Sequence, residues 1–383
     1  MRGHLRRRGN AWELRAYVGR DSVTGQTRCR TRTFRGGKRE AEAALSRFVD
    51  EVGATGVAPS DATVGTLLNS WLSLVNEDLS PTTVRNYQLA IDNYLVPHIG
   101  NIRLTKLQTA AIDRLYRELR ERGGKDGKPL SPASVHHAHS VLRKALQQAL
   151  RWGWLKSNPA ALATPPKKRT PQLNPPDPTE VIALIESAMI TNPVFGGFLH
   201  LAATTGARRG EICALRWRDI DFENAKLLIS YAIVEGTRGE LIEKDTKTHA
   251  SRRIALDDFT IDILHQVRRQ MDDRAAAVGG AIVPESFVFS RSACGENPLP
   301  PNEASAIFRK IRDDSGMRQM RLHDFRHFAA TRLLAAGVPV RTVSGRLGHA
   351  NAATTLGVYA HFIEASDRDA ANKLGALVHP SRD

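Results

Sequence analysis

The chain has 383 residues, enough for two to three domains of about 150 residues that each bury a core. Its 41% hydrophobic content is typical of globular proteins, and no apolar run approaches the ~20 residues that span a bilayer. The net charge of +15 indicates a polyanionic partner, most often nucleic acid. The three cysteines have neither metal-binding nor disulfide spacing, and no apolar stretch follows the basic start as in a signal peptide. We therefore expect a cytoplasmic, nucleoid-associated protein with no membrane segment.

The positive charge is concentrated at the start of the chain. Residues 1–40 hold twelve arginines and lysines against three acids. Residues 12–18 and 28–34 nevertheless alternate apolar and polar side chains, as half-buried strands do, with Thr24-Gly25 as a turn between them. Residues 38–52 have the apolar spacing of a helix. The pattern predicts a first domain, residues 1–57, in which a small β-sheet and one helix present a basic face to DNA.

The second domain is predicted to be a helical bundle over residues 63–162. Ser80-Pro81 and Ser131-Pro132 each combine a serine cap with proline at the first helical position. A third helix runs from about Thr109 to Arg122, and the length allows four helices in all. The next segment, residues 163–178, contains six prolines, so we predict an extended, basic linker.

The third predicted domain, residues 179–383, is mainly helical. Asp177-Pro178-Thr179-Glu180 has the cap, proline and glutamate of a capping box, which places the first helix there. One β patch interrupts the helices: residues 226–234 and 252–256 flank a hairpin-like stretch with Gly236 and Gly239. The expected fold is therefore multi-domain and mainly α, with small β elements in the first and third domains.

Four short patterns in the third domain carry candidate chemistry. Residues 204–215 predict a tight turn that leads into a helix, with Arg208 at its start and Glu211 one turn later. His323 and Arg326 share a face at the start of another helix.

The other two patterns follow closely. Leu347-Gly348-His349 closes a short helix, and Asn351 caps a helix that carries Tyr359 and His361. Taken singly, each pattern has an ordinary structural explanation: a surface ion pair, a core tyrosine or a histidine that caps a helix. Their occurrence together and in this order favours a functional site.

The set of motifs resembles that of the tyrosine recombinases, the phage-integrase family of site-specific DNA recombinases. The matching signatures are Thr-Gly-x-Arg-x-Gly-Glu-x-x-x-Leu (205–215), His-x-x-Arg (323–326), Leu-Gly-His (347–349) and Thr-Thr-Leu-x-x-Tyr-x-His (354–361). The first, second and third domains resemble the arm-site-binding, core-binding and catalytic domains of integrases. The resemblance implies an enzyme that cleaves and rejoins DNA at attachment sites and thereby integrates or excises a mobile element.

The resemblance also implies a role for each catalytic residue. Tyr359 would attack the scissile phosphate and form a covalent 3′-phosphotyrosine intermediate. Arg208 and Arg326 would donate to the non-bridging oxygens of the transition state. His323 and His349 can donate to the phosphate, and His323 can also exchange a proton with the tyrosine.

The leaving 5′-oxygen needs an acid, which in this family is a lysine on a β-hairpin. Residues 245–256 match that hairpin and nominate Lys247, with Lys244 as the alternative. Glu211 would orient an arginine without touching the substrate.

No metal or nucleotide cofactor is expected. His136-His137-Ala138-His139 is the one histidine cluster in the sequence, and no carboxylate accompanies it in ligand spacing. We interpret it as a polar stripe that faces DNA beside Arg143 and Lys144. No glycine-rich phosphate-binding loop is present in the sequence.

The expected partners are double-stranded DNA, at core and arm attachment sites, and three further copies of the chain in a homotetramer on synapsed DNA. A host DNA-bending protein and an excisionase are further partners that the resemblance suggests. Two alternatives are a type IB topoisomerase and a catalytically silent DNA-binding protein with the same fold. The arm-like first domain and the Leu-Gly-His motif argue against the topoisomerase. The silent protein is disfavoured by the intact set of Arg208, Lys247, His323, Arg326, His349 and Tyr359.

Overall fold

A computed structural model describes residues 3–9, 11–20, 27–54, 62–167, 175–236, 239–245, 251–348, 356 and 367–378. The chain divides into two compact units, Met1–Thr170 and Pro171–Asp383. The division falls inside the proline-rich segment 163–178. Within the described ranges, no helix is both long and apolar enough to cross a membrane.

The first unit begins with an antiparallel sheet of three strands, covered on one face by a helix. The elements are β1 (Gly3–Arg8), β2 (Ala11–Arg20), β3 (Thr27–Phe34) and α1 (Lys38–Ala54), and the strand order is β1-β2-β3. Leu14 and Ala16 of β2 are fully buried in a small core with Phe48 of α1. The two predicted strands and the helix are confirmed. The predicted turn at Thr24-Gly25 lies outside the described residues.

Strand β1 was not predicted. Its sequence, Gly-His-Leu-Arg-Arg-Arg, exposes every side chain except the half-buried Leu5, so it has no alternation to recognise. It forms because its backbone pairs with β2, from Gly3 opposite Ala16 to Arg8 opposite Ala11.

The rest of the first unit is the predicted helical bundle. Its helices are α2 (Val64–Val75), α3 (Pro81–Ala90), α4 (Val96–Ile99), α5 (Thr109–Arg122) and α6 (Pro132–Arg151). The hydroxyls of Ser80 and Ser131 accept hydrogen bonds from the backbone N–H groups of Thr83 and Ser134, so both predicted caps are confirmed. A π-helical turn, Ile91–Leu95, joins α3 to α4, so the two form one long element.

The predicted histidine stripe is only partly a surface feature. His139 is buried on α6, and its Nδ1 lies 2.6 Å from the hydroxyl of Tyr116. Burial, then the charge of Arg143, lowers the pKa of His139. His137 is exposed to a greater extent and lies 3.3 Å from the backbone oxygen of Asn86. Of these two histidines, His139 therefore belongs to the interior of the bundle, which corrects its assignment to a DNA-facing stripe.

The second unit is mainly helical, with two small sheets. The helices are α7 (Pro178–Thr191), α8 (Pro193–Thr205), α9 (Arg209–Cys213), α10 (Asp258–Ala277), α11 (Pro301–Asp314), α12 (Asp324–Ala335), α13 (Val340–Leu347) and α14 (Asp367–Val378). The strands are β4 (Ile220–Asp221), β5 (Lys226–Ile229), β6 (Tyr231–Glu235), β7 (Leu241–Asp245) and β8 (Arg252–Ala255). The capping box that opens α7 is present as predicted.

The β patch differs from the prediction in one respect. The predicted strand 226–234 is broken at Ser230, because β5 pairs with β4 and β8 whereas β6 pairs with β7. The predicted hairpin with Gly236 and Gly239 is formed by β6 and β7: the N–H of Gly236 donates to the backbone oxygen of Glu240, and the backbone oxygen of Gly236 accepts from the N–H of Gly239. The described ends of the other predicted hairpin, 245–256, lie in different sheets, because β7 pairs with β6 and β8 pairs with β5.

Candidate active site

Arg208 is held at the start of α9 by a tight turn. Helix α8 ends at Gly206, whose φ of 62° lies in the left-handed region that favours glycine. A Cβ on Gly206 would overlap the side chain of Leu347, so the turn also needs glycine for space. The hydroxyl of Thr205 accepts a hydrogen bond from the N–H of Ala207 at 3.1 Å, which fixes the backbone just before Arg208.

The carboxylate of Glu211 accepts three hydrogen bonds, two of them from Arg208. Its Oε1 accepts a hydrogen bond from Arg208 Nη1 at 2.8 Å, and its Oε2 accepts one from the Arg208 backbone N–H at 2.9 Å. Arg252 Nη2 donates to the same Oε2 at 2.6 Å. The predicted pairing of Arg208 with Glu211 is confirmed, but the pair is not a surface ion pair, because Glu211 is only 1% exposed.

The electrostatics of Glu211 follow from this pairing. Burial would raise the pKa of the carboxyl, but the hydrogen bond and charge of Arg252, and then the hydrogen bonds from Arg208, hold that pKa below its ordinary value. The group is therefore a buried carboxylate between two guanidinium groups, and the cluster of Glu211, Arg208 and Arg252 has one positive charge in excess.

Arg326 reaches the same turn from α12. The residue is 4% exposed, and its Nη1 donates a hydrogen bond to the backbone oxygen of Gly206 at 2.7 Å. Arg208 Nη2 lies 3.3 Å from the backbone oxygen of Gly348, at the end of α13. The start of α9, the first turn of α12 and the end of α13 therefore meet around Gly206. Arg208 and Arg326 both contribute hydrogen bonds to this meeting point.

His323 stands immediately before α12, where it is held by its neighbours in sequence. Its ring packs edge to face against His327, with the ring centres 4.9 Å apart. Burial, then the proximity of His327 and Arg326, lowers the pKa of His323 to about 4. The charge of Arg208 acts in the same direction. His323 is therefore neutral near pH 7.

Three predicted site residues, Lys247, His349 and Tyr359, lie outside the described residues, as do Asn351 and His361. The alternative lysine, Lys244, is described: it lies on β7, half-buried, opposite Ala232 of β6. Of the predicted site residues, the structure brings together Arg208, His323 and Arg326. In the described ranges, no group of three or more histidine, cysteine or acidic side chains could hold a metal ion.

Two further arginines bind this cluster and were missed from the sequence. Arg252 Nε donates to the backbone oxygen of Arg346 at 3.0 Å. Arg346 in turn donates to the backbone oxygens of Ala255, at 3.1 Å, and Thr204, at 3.0 Å. Strand alternation could have pointed to Arg252, because it precedes the buried Ile254 by two residues and therefore has its parity on β8.

Comparison with known proteins identifies the family. A model of the phage integrase family matches residues 180–365, and a model of the phage integrase N-terminal SAM-like domain matches residues 63–120. The chain belongs to the tyrosine recombinase family. It is a site-specific tyrosine recombinase, an enzyme that cleaves and rejoins DNA.

Relatives and solved structures agree with this assignment. A tyrosine recombinase XerC-like protein of Caldanaerobacter subterraneus subsp. tengcongensis is 27% identical over 361 residues, which cover 89% of this chain and 90% of the relative. The Tn1549 transposon integrase, solved in complex with transposon right end DNA, has a TM-score of 0.70 at 18% identity and covers 82% of this chain and 99% of its own. A lambda integrase tetramer bound to a Holliday junction has a TM-score of 0.55 at 19% identity, with 91% and 96% covered. At these identities, the two structures show a shared fold.

Proposed function

We propose that this recombinase integrates or excises a mobile element through a covalent 3′-phosphotyrosine intermediate, with Tyr359 as the nucleophile and no metal ion. The observation that carries the proposal is the meeting of Arg208, Arg326 and a neutral His323 around the Gly206 turn. Two arginines from different helices suit a phosphodiester whose transition state gathers charge on its non-bridging oxygens. A silent DNA-binding protein would have no need for a buried carboxylate that orients one of them.

The reaction conserves the energy of the phosphodiester bond. The Tyr359 oxygen attacks phosphorus, the bond to the 5′-oxygen breaks, and the DNA 3′ end becomes linked to the enzyme. A free 5′-hydroxyl then attacks the phosphotyrosine, which releases the tyrosine and rejoins the strand. His323 accepts the tyrosine proton in the first step and returns it in the second, and His349 donates to the phosphate.

The departing 5′-oxygen takes its proton from Lys247, with Lys244 as the alternative. The two lysines are separated by replacing the bridging 5′-oxygen with sulfur, because a thiolate leaves without protonation. Lys247→Ala should cleave ordinary DNA poorly and the sulfur-containing DNA at close to the wild-type rate. Rescue of Lys244→Ala instead of Lys247→Ala would assign the acid to Lys244.

The partners that we propose are double-stranded DNA at core and arm sites and a homotetramer on synapsed DNA. Strand exchange between two duplexes requires four cleavages, one for each protomer. The lambda integrase tetramer on a Holliday junction has the same fold and supports this stoichiometry. A host bending protein and an excisionase would act on the same complex.

The first domain, residues 1–57, is proposed to bind arm sites through the face of its sheet that lies opposite α1. Because Leu14 and Ala16 of β2 face the helix, Glu13 and Arg15 lie on the opposite face. The strand register adds further side chains to that face, namely His4, Arg6, Arg8, Thr31 and Thr33. Arginine and threonine side chains on a sheet suit contacts with phosphates and base edges.

The proposed chemistry is tested with a suicide substrate, a nicked attachment-site core from which the cleaved fragment is lost. The junctions of the mobile element supply the site sequence. Wild-type protein should accumulate a covalent protein–DNA adduct, and Tyr359→Phe should bind the DNA but form none. Tyr231→Phe, at an exposed tyrosine of the same unit, is the matched control and should retain the adduct. An adduct with Tyr359→Phe, or cleavage without an adduct, would contradict the proposal.

A further inference from the structure

Arg252 joins three elements of the second unit with one guanidinium group. It is the first residue of β8, and its side chain is only 9% exposed. Its Nη2 donates to Glu211 of α9 at 2.6 Å, and its Nε donates to the backbone oxygen of Arg346 on α13 at 3.0 Å. Both contacts connect residues far apart in sequence, so they are features of the folded site and not of β8 alone.

These contacts close a ring of hydrogen bonds around the site. Arg208 is paired with Glu211 through Nη1 and reaches the backbone oxygen of Gly348 through Nη2. Arg346 and Gly348 are two residues apart at the end of α13, so the ring runs from α13 through Arg252, Glu211 and Arg208 and back to α13. The direction in which Arg208 points and the position of the α13 end are therefore determined together.

Gly348 fits against Arg252 in a second way. It has a φ of 68°, the left-handed conformation that ends α13. A Cβ on Gly348 would lie 2.8 Å from Arg252 Nη1, so the guanidinium packs directly on the glycine backbone. The residue after this contact is His349, one of the proposed phosphate donors.

Arg252 also sets the charge that a phosphate meets. Without it, Glu211 and Arg208 would form a neutral pair, and the carboxylate would offset the positive field of Arg208. With it, the buried cluster retains one positive charge, which acts in a region of low dielectric. Because two of the nitrogens of Arg252 are engaged by Glu211 and Arg346, its role does not require contact with DNA.

We propose that Arg252 is a positioning residue of the recombinase: it orients Arg208 through Glu211 and holds the backbone that leads to His349. The inference rests on the proposed function, in which Arg208 binds the scissile phosphate. The sequence motif at residues 245–256 assigns a role only to its lysine. The proposal adds a role for Arg252 of β8 in placing a donor to the transition state.

The test compares variants in single-turnover cleavage of the suicide substrate at saturating DNA. Arg252→Gln should slow cleavage by about 10²-fold, the loss expected when one donor to the transition state is misplaced. Arg252→Lys keeps the charge next to Glu211 but cannot bond Arg346 as well, so it should recover part of the rate. Arg253→Gln, the exposed neighbour on the same strand, is the matched control for charge and should cleave within about twofold of wild type, since no donor to the transition state is moved.

A second substrate separates positioning from a general loss of structure. A methylphosphonate at the scissile position replaces one charged non-bridging oxygen with a methyl group, so a correctly aimed Arg208 contributes less. The defect of Arg252→Gln should shrink on this substrate, as should that of Arg208→Ala. An equal defect on both substrates, or a wild-type rate in Arg252→Gln, would overturn the inference.

Failure of the proposed role of Arg252 can be told apart from failure of the proposed function. If wild-type protein forms no adduct, the proposed chemistry is wrong. If wild type forms the adduct and sulfur at the 5′ position restores Arg252→Gln, then Arg252 acts on the leaving group instead of on Arg208, and the inference is wrong. Should Arg252→Gln fail to fold in thermal unfolding, Arg252→Lys on the two phosphate substrates decides the same question.

Discussion

Replacing Glu211 with glutamine removes the negative charge that separates two guanidinium groups. The carboxylate is 1% exposed and accepts hydrogen bonds from Arg208 Nη1, the Arg208 backbone N–H and Arg252 Nη2. Glutamine keeps the size but turns one acceptor into a donor that faces other donors. Breaking a buried ion pair in this way costs about 3–5 kcal/mol. In a domain of about 150–250 residues, each kcal/mol lowers Tm by about 2–4 °C, so the expected fall is about 6–20 °C.

The same substitution should also slow cleavage, because Arg208 loses the group that orients it. Loss of one correctly placed donor costs about 10²–10³ in rate. The assays are thermal unfolding of the protein and single-turnover adduct formation at saturating DNA. The matched control is Glu180→Gln, since Glu180 caps α7 at the equivalent helix position but is exposed. The reasoning is refuted if Glu211→Gln loses no more stability than Glu180→Gln.

The stability that the Glu211 carboxylate contributes to the folded protein depends on pH in a defined direction. Its pKa lies below the ordinary value of 4.5, so the unfolded chain takes up a proton at higher pH than the folded protein does. The stability that the carboxylate contributes is fully present above that value and is lost as the pH falls through the lower pKa of the folded state. The difference in free energy of unfolding between wild type and Glu211→Gln should therefore be constant near neutrality and shrink below pH 4.5. A difference that does not change with pH would show that the charge is not responsible.

Three further predictions concern the two ends of the chain and His323. Deletion of residues 1–57 should abolish binding to arm sites and reduce the salt dependence of DNA binding, while core-site cleavage stays measurable; unchanged arm affinity in gel shifts would argue against a DNA-binding domain there. Truncation after Asp367 removes Leu374 and Val378, which are 63% and 70% exposed on α14 and suit an apolar contact with a neighbouring protomer. The truncated protein should retain single-site binding and lose synapsis, so normal synaptic complexes in gel shifts would contradict this prediction. The ring of His323 should titrate near pH 4 by NMR in the absence of DNA, and a value at or above 6.5 would contradict its burial among positive groups.

Local signals account for the elements that the sequence predicted well. The serine caps before α3 and α6 and the capping box before α7 involve residues within one turn of each other. Such contacts can be identified from spacing alone. The same holds for the pairing of Arg208 with Glu211.

The features that were missed depend on partners far away in the sequence. Strand β1 forms because its backbone pairs with β2. The strand predicted over residues 226–234 is broken at Ser230 because β5 and β6 pair in different sheets. Strand alternation points to Arg252, but the contact of Arg252 with Arg346 depends on β8 and α13 lying side by side. Arginines at such positions look like solvated charge in a basic sequence, because spacing does not reveal which carbonyl or carboxylate lies opposite.

The most direct test of the account is to identify the amino acid that carries the DNA. Trypsin should cleave the adduct after Arg346 and Arg368, and peptide 347–368 contains Tyr359 as its one tyrosine. After nuclease digestion, mass spectrometry should find the remaining nucleotide on Tyr359, linked through a 3′-phosphate. A nucleotide on His349, on His361 or on any other residue, or a linkage through the 5′ end, would contradict the proposed chemistry.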